Sequence, residues 1–232
     1  MNEERFFLGE IPVLLRLPKK PRGLLLALHG LQGNKEQILS LLPGYLEAGL
    51  ALLAFDAPRH GPRGRPPSAR DERYVEAFYR VVLGMAEEAG RVLAEVAQPL
   101  GLPLFLAGGS MGAFTLHLLL AQGLRPQAAL AFIGSGLPMK PPLGYLVQDP
   151  EVKALYEAPP VFRGQAYGQT PLLHLHGSRD LIVPLSRVEE ALEALRPHYP
   201  PGRLALYREE GTGHEITPLM ARVGLAFLES FL

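Results

Sequence analysis

A pentapeptide of the form G-x-S-x-G, Gly108-Gly109-Ser110-Met111-Gly112, has the residue types that a nucleophilic serine needs. It follows the apolar run LPLFLA and precedes the helix-like run AFTLHLLLAQ. A strand-to-helix turn of this kind is sharp, so it requires small neighbours and exposes the serine above the sheet. The pattern predicts Ser110 as a nucleophile, with the Met111 N–H facing a developing oxyanion. A glycine-rich turn with a helix-capping serine is the alternative.

A serine hydroxyl needs a general base, and His214 is the candidate among the seven histidines. It lies in GTGHEI, between the last strand-like and the last helix-like run, so its ring can reach over the turn that holds Ser110. Asp180, in HGSRDLIVP, follows another strand-like run and is the predicted carboxylate that orients His214. Glu209 and Glu210 are the competing acids. A loop histidine and a turn aspartate without catalytic roles are the alternatives.

A second donor to the oxyanion is expected from the loop LHGLQGN, which follows an early strand-like run. The predicted donor is the backbone N–H of Leu31, with that of Gln32 as the alternative. A glycine-containing loop before a helix, without this role, would have the same sequence. His117 follows Ser110 on the next helix and is predicted to lie about 10 Å along its axis, too far to accept the proton.

The pocket walls are predicted to come from residues 59–79 and 137–167. Rim positions and apolar side chains in these segments and in the oxyanion loop are the candidate substrate contacts, with solvated rim residues and local packing as the alternatives. These candidates are Gln32, Arg59, His60, Met139, Leu143, Tyr145 and Phe162.

Short apolar runs alternate along the chain with longer helix-like stretches, which predicts a doubly wound, mostly parallel sheet flanked by helices. The predicted strands are 23–28, 50–55, 102–107, 128–133, 171–175 and 204–207, with an edge hairpin of 5–8 and 13–17. The predicted helices are 35–48, 71–99, 111–122, 185–195 and 218–231. We expect one domain over residues 1–232, with a small lid-like insertion at about 134–170.

Composition excludes several function classes. Basic and acidic residues number 23 each, so no net charge favours nucleic acid or an anionic membrane surface as a partner. No metal, nucleotide or cofactor motif is present, and we expect neither a metal nor a cofactor. The chain has no cysteine, and its first residues lack an apolar signal segment, so we expect a cytoplasmic protein. The sequence does not predict an oligomeric state.

Five motifs in order, LHGLQGNK, FDAPRHGPRG, GGSMGAF, HGSRDLIVP and GTGHEI, resemble those of the α/β-hydrolase superfamily over nearly the whole chain. The sequence is similar to the small, cap-poor members, which are the dienelactone-hydrolase-like esterases and the prolyl-oligopeptidase catalytic domains. The resemblance implies a catalytic triad of Ser110, Asp180 and His214, and an oxyanion donor at Leu31. Dienelactone hydrolases proper use a cysteine where Ser110 stands, and no propeller domain precedes the motifs.

These observations predict a serine carboxylesterase that cleaves small acyl esters through an acyl-enzyme intermediate. A peptidase or thioesterase would use the same three residues, and an acyltransferase would pass the acyl group to an alcohol. A non-catalytic ligand carrier is the remaining alternative. Such a carrier would not require Ser110, Asp180 and His214 in this order.

Overall fold

Runs of consecutive apolar residues form the strands of a single sheet in the computed structural model, which describes residues 2–232. The strands are β1 (Asn2–Leu8), β2 (Ile11–Leu17), β3 (Gly23–Leu28), β4 (Leu50–Phe55), β5 (Leu104–Gly109), β6 (Ala129–Phe132), β7 (Leu172–Gly177) and β8 (Leu204–Glu209). The α-helices are α1 (Lys35–Ser40), α2 (Tyr74–Val92), α3 (Met111–Ala121), α4 (Pro150–Glu157), α5 (Leu185–Leu195) and α6 (Pro218–Glu229).

The eight strands follow the order β1-β2-β4-β3-β5-β6-β7-β8. Strands β3 to β8 pair in parallel, whereas β1 and β2 form an antiparallel hairpin that joins the sheet through β4. The predicted fold class, a doubly wound and mostly parallel sheet with helices on both faces, is confirmed. The carboxyl ends of the parallel strands meet at one edge of the sheet, which is where such folds bind ligands.

Each face of the sheet carries its own apolar core. One core packs α2, α3 and the insertion against the sheet, and the other packs α1 and α6 against the opposite face. Every residue of β3, β4 and β7 is buried. Burial on both faces explains why these strands are apolar at consecutive positions rather than at alternate ones.

Two predicted helices are wrong in length. The helix predicted over 35–48 ends at Ser40, because Pro43 and Gly44 follow and Gly44 takes a φ of 87°. The helix predicted over 71–99 begins at Tyr74, and after Val92 it changes to a π-helical turn and then a 3-10 turn. The other predicted elements agree with the structure to within two residues, apart from longer hairpin strands at 2–8 and 11–17.

The segment 134–170 contains α4 and a 3-10 stretch, Pro160–Tyr167. It is attached to α2 at several points. The Glu76 carboxylate accepts the Asp149 N–H at 3.1 Å, and Arg80 pairs with the Asp149 side chain. The start of the segment lies beside the carboxyl end of β5, since a Cβ at Gly134 would lie 2.9 Å from the Ser110 carbonyl oxygen.

Candidate functional site

Ser110 occupies a strained turn between β5 and α3. Its φ of 53° and ψ of −110° lie in a region that non-glycine residues rarely adopt, and such strain clusters at functional sites. The flanking glycines are required sterically. A Cβ at Gly108 would lie 2.2 Å from the Gly112 carbonyl oxygen, and one at Gly112 would lie 2.1 Å from the Leu28 carbonyl oxygen. The sequence folds into this turn because no larger residue fits beside the serine.

Ser110, His214 and Asp180 form a continuous chain of hydrogen bonds. His214 Nε2 lies 2.9 Å from Ser110 Oγ, and His214 Nδ1 lies 2.7 Å from Asp180 Oδ2. Because an ionised carboxylate only accepts hydrogen bonds, Nδ1 carries the proton and Nε2 presents its lone pair to the serine hydroxyl. The structure thus brings together three residues that lie far apart in the sequence, in the tautomer that proton transfer from Ser110 requires.

The Asp180 side chain is fully buried, yet its charge is compensated. Burial alone raises the pKa of this carboxyl, but the hydrogen bond from His214 and those from the Val183 and Ile182 N–H groups outweigh burial and lower the pKa below its usual value. Both N–H groups donate to Oδ1 at 2.9 Å. Asp180 is therefore ionised at neutral pH, as a carboxylate that stabilises an imidazolium must be.

The competing acids and bases have other partners. Glu209 accepts a hydrogen bond from the Thr217 hydroxyl at 2.6 Å, and Glu210 pairs with Arg208. His117 is buried in the core, where its Nδ1 contacts the Tyr167 hydroxyl at 2.9 Å. Burial lowers the His117 pKa well below its usual value, so this ring stays neutral.

The loop after β3 lies against the nucleophile. A Cβ at Gly30 would come within 3.5 Å of Ser110 Cβ, which shows how closely the loop approaches. Among the hydrogen bonds of residues 2–232, none has the N–H of Leu31, Gln32 or Met111 as its donor. Free N–H groups beside a serine are the usual components of an oxyanion hole. The choice between Leu31 and Gln32 stays open in this geometry.

A cavity of about 1030 Å³ opens beside Ser110 and His214. It has two apolar walls. One wall is aromatic and comes from α2 and α3: Tyr74, Phe78, Tyr79 and Phe114. The other wall is aliphatic: Ile38, Leu41, Leu181, Ile182 and Ile216. The cavity therefore suits a ligand with apolar groups.

Of the predicted pocket residues, Gln32 and Met139 line this cavity and five others do not. The prediction is wrong for Leu143 and Phe162, whose side chains point into solvent, and for Tyr145, which packs against the core beside the cavity. Arg59 lines a separate cavity of about 490 Å³. His60 is buried beneath the oxyanion loop. The insertion contributes mainly its first residues, since α4 turns its later part away.

Sequence reasoning missed Leu181 and Ile182. They line the cavity, although their side chains are 90% and 72% exposed. They directly follow Asp180, and the Ile182 N–H is bound to its carboxylate, so they are held at the cavity mouth. The feature of the sequence that could have identified them is a pair of large aliphatic residues immediately after a predicted catalytic acid.

A second buried carboxylate, Asp56, was also missed. It follows β4, its side chain is fully buried, and it pairs with Lys35 Nζ at 2.6 Å. Its Oδ1 accepts the Lys35 N–H at 2.9 Å. Asp56 therefore ties the end of β4 to the start of α1, directly beneath the loop that contains Leu31.

Within residues 2–232, no group of three or more histidine, aspartate or glutamate side chains is arranged to hold a metal ion. Across the same described range, no helix combines the length and the apolar character needed to cross a membrane.

Known proteins resemble this chain in fold and sequence. TT1662 from Thermus thermophilus is 67% identical, and its crystal structure superposes with a TM-score of 0.96 over 99% of this chain and 97% of that one. Esterase YjfP of Escherichia coli (strain K12) is 26% identical over 244 residues, which cover 97% of each chain. No protein-family model matches the sequence.

A highly thermostable carboxyl esterase from Bacillus coagulans shares the fold at 16% identity, with a TM-score of 0.71 over 99% of this chain and 98% of that one. The fold and these relatives agree with each other. The chain therefore has the α/β-hydrolase fold, and it is similar in sequence to proteins that are named as esterases.

Proposed function

We propose that this protein, a carboxylic ester hydrolase, cleaves small acyl esters through a covalent intermediate on Ser110. The observation that carries the proposal is the hydrogen-bonded chain Ser110–His214–Asp180 at the wall of the large cavity. A serine, a histidine in the correct tautomer and a buried carboxylate are the parts that nucleophilic acyl transfer needs.

In the first half of the reaction, His214 Nε2 takes the proton of the Ser110 hydroxyl while Oγ attacks the ester carbonyl carbon. The carbonyl oxygen becomes an oxyanion, which the N–H groups of Leu31 and Met111 stabilise. His214 then gives its proton to the leaving alcohol as the C–O bond breaks. The acyl group remains on Ser110, and Asp180 stabilises the imidazolium throughout.

In the second half, water enters the position that the alcohol leaves. His214 takes a proton from this water as its oxygen attacks the acyl carbon, and it returns the proton to Ser110 when the acid departs. The two apolar walls of the cavity suit esters that have apolar groups.

Labelling with a fluorophosphonate probe tests the nucleophile directly. The wild-type protein is expected to be labelled on Ser110, and Ser110→Ala is expected to lose the label. Ser135→Ala and Ser186→Ala are matched controls, because both serines line the same cavity without contacting His214. Labelling that survives in Ser110→Ala, or that is absent from the wild type, would contradict the proposal.

A panel of substrates with the same acyl group tests the leaving-group class. We expect aryl and alkyl esters to turn over faster than the matched amide and thioester. Added alcohol is expected to leave the total turnover unchanged, since water is the proposed acceptor. Faster amide or thioester cleavage, or alcohol-stimulated turnover, would identify a peptidase, a thioesterase or an acyltransferase instead.

A further inference from the structure

The turn that follows β4 places a histidine beneath the oxyanion loop. His60 is 1% exposed and lies outside the cavity lining. Its Nε2 contacts the Leu31 carbonyl oxygen, and its Nδ1 lies 2.9 Å from the Pro58 carbonyl oxygen. The ring therefore connects the turn after β4 to the loop that contains the proposed oxyanion donor.

Both ring nitrogens of His60 face carbonyl oxygens, which can only accept hydrogen bonds. A ring nitrogen can bind a carbonyl oxygen only by donating an N–H. A proton on Nε2 therefore lets the ring hold the Leu31 carbonyl, whose oxygen would otherwise lie buried against the ring without a donor.

The ionisable groups around His60 have partners of their own or stay neutral. The His29 ring lies 4.9 Å away and is neutral, because burial lowers its pKa to about 4. The buried Asp56 carboxylate opens the same turn, with Lys35 as its partner. Arg63 closes the turn and is neutralised by Glu88 at 2.6 Å.

His60 and His29 together hold the backbone on both sides of Leu31. His29 Nε2 accepts the Ala57 N–H, so its Nδ1 carries the proton and donates to the Gly30 carbonyl oxygen at 2.8 Å. In a trans peptide the N–H points away from the carbonyl oxygen, so this bond sets the direction of the Leu31 N–H. His60 then anchors the carbonyl of Leu31 itself.

The turn is strained in order to hold His60 there. Arg59 adopts a φ of 64°, a left-handed conformation that residues other than glycine rarely take. Gly61 has a φ of 56°, and a Cβ there would lie 2.4 Å from Asp56 Oδ2. Only a turn built tightly around the Asp56 carboxylate brings the His60 ring under Leu31.

We propose that His60 is a positioning residue for the oxyanion hole, holding the Leu31 carbonyl through a hydrogen bond from its Nε2–H. The inference rests on the proposed function, since it assumes that the Leu31 loop stabilises an oxyanion. His60 does not touch the substrate. It keeps the loop N–H in place before the tetrahedral intermediate forms, so its effect falls on the chemical step rather than on substrate binding.

Two substitutions test this role. His60→Phe keeps a ring but removes the Nε2–H donor, and we expect kcat to fall by roughly 10–100-fold with KM within about 3-fold of the wild type. His60→Gln keeps an N–H₂ donor for the Leu31 carbonyl and is expected to recover at least about half of that loss on a logarithmic scale. Arg59→Ala is the matched control in the same turn, with kcat unchanged.

A folded His60→Phe protein with wild-type kcat would overturn the proposal, as would a rise in KM alone or equal losses in the Phe and Gln variants. Fluorophosphonate labelling separates the two hypotheses. Labelling on Ser110 in the wild type with no kcat effect at His60 overturns only the positioning role, whereas absence of wild-type labelling overturns the proposed function.

Nitrogen-15 NMR of the wild-type protein tests the ring even if His60→Phe fails to fold. We expect the His60 Nε2 to carry a proton that is hydrogen-bonded to the Leu31 carbonyl oxygen. A His60 spectrum with a bare Nε2 would contradict the proposed contact.

Discussion

Asp56 and Asp180 are two buried carboxylates in equivalent places. Each follows the carboxyl end of a parallel strand, each accepts backbone N–H bonds, and each is fully buried at the side chain. Their partners differ. Asp56 faces the permanent charge of Lys35, whereas Asp180 faces a histidine that becomes charged only when it takes a proton.

This difference separates a structural carboxylate from a proposed catalytic one. The Asp56–Lys35 pair is compensated at all times, so it stabilises one arrangement of the turn and of the oxyanion loop. Asp180 faces a histidine that gains a charge during the proposed reaction, so its full electrostatic benefit is available when His214 is protonated. A loss of Asp56 should therefore reduce stability most, and a loss of Asp180 should reduce turnover most.

The largest expected effect is that of Asp180→Asn on turnover. The amide can no longer stabilise the His214 imidazolium and permits the wrong tautomer, so we expect kcat to fall by about 10⁴-fold. The midpoint of urea unfolding should change less than in Asp56→Asn, because no permanently charged side chain loses its partner. Ester hydrolysis and urea titration of the same variant measure both. A severe loss of stability with kcat within about 10-fold of wild type would reverse the comparison.

Asp56→Asn is expected to have the opposite profile. It leaves the Lys35 ammonium largely buried without its main partner, and we expect the free energy of unfolding to fall by about 3 kcal/mol. The matched control is the double variant Asp56→Asn with Lys35→Met, which removes both charges and should recover much of the loss. Urea unfolding measures each step. A single variant as stable as the wild type would show that the pair does not hold this turn.

The third prediction concerns the stability of the protein at acidic pH. His29 lies near Asp56 and His176 lies 3.3 Å from Asp180, and burial lowers the pKa of both rings, that of His29 to about 4. An unfolded histidine has a pKa of about 6.5, so below that value the unfolded chain binds protons that the native rings do not. The free energy of unfolding should therefore decrease as the pH is lowered. His29 alone should contribute a decrease of about 1.4 kcal/mol at about pH 5.5.

The lowered pKa of Asp180 affects stability in a different pH range. Its contribution is complete above the unfolded value of about 3.9 and is lost only as pH falls through the lower folded value. Urea midpoints at about pH 7.5 and about pH 5.5 therefore report on the histidines. His29→Asn should reduce the difference between the two midpoints, and identical midpoints in the wild type would disprove the prediction.

The smallest expected effect is on stability, and it distinguishes the turn after β4 from the turn after β7. Arg59 lies in the turn after β4 and Arg179 in the turn after β7, and both are exposed. Arg59 has a positive φ, whereas Arg179 does not. Arg59→Gly relieves strain and should stabilise the protein by about 0.5 kcal/mol, whereas Arg179→Gly should destabilise it by about 0.5–1 kcal/mol. Thermal unfolding of both variants tests the sign. Equal shifts would mean that the Arg59 turn stores no strain.

Much of the fold was predictable because both faces of the sheet are covered. A strand buried on two faces has to be apolar at consecutive positions, so β3 and β4 were found with their correct bounds. The candidate site residues Ser110, Asp180 and His214 were predictable because each lies in the turn that follows a strand. The pocket residues were not, since Leu143, Tyr145 and Phe162 have suitable side chains and only packing determines where these point.

The sequence by itself therefore determined which residues follow the carboxyl ends of the strands and which glycines make room for Ser110. Local sterics and hydrophobic pattern carry that information within a few residues. Only the tertiary structure decided which side chains share a cavity, which carboxylate meets a histidine rather than a lysine, and that His60 lies under Leu31. Those contacts join residues from separate loops, and their distances depend on how all the strands and helices pack together.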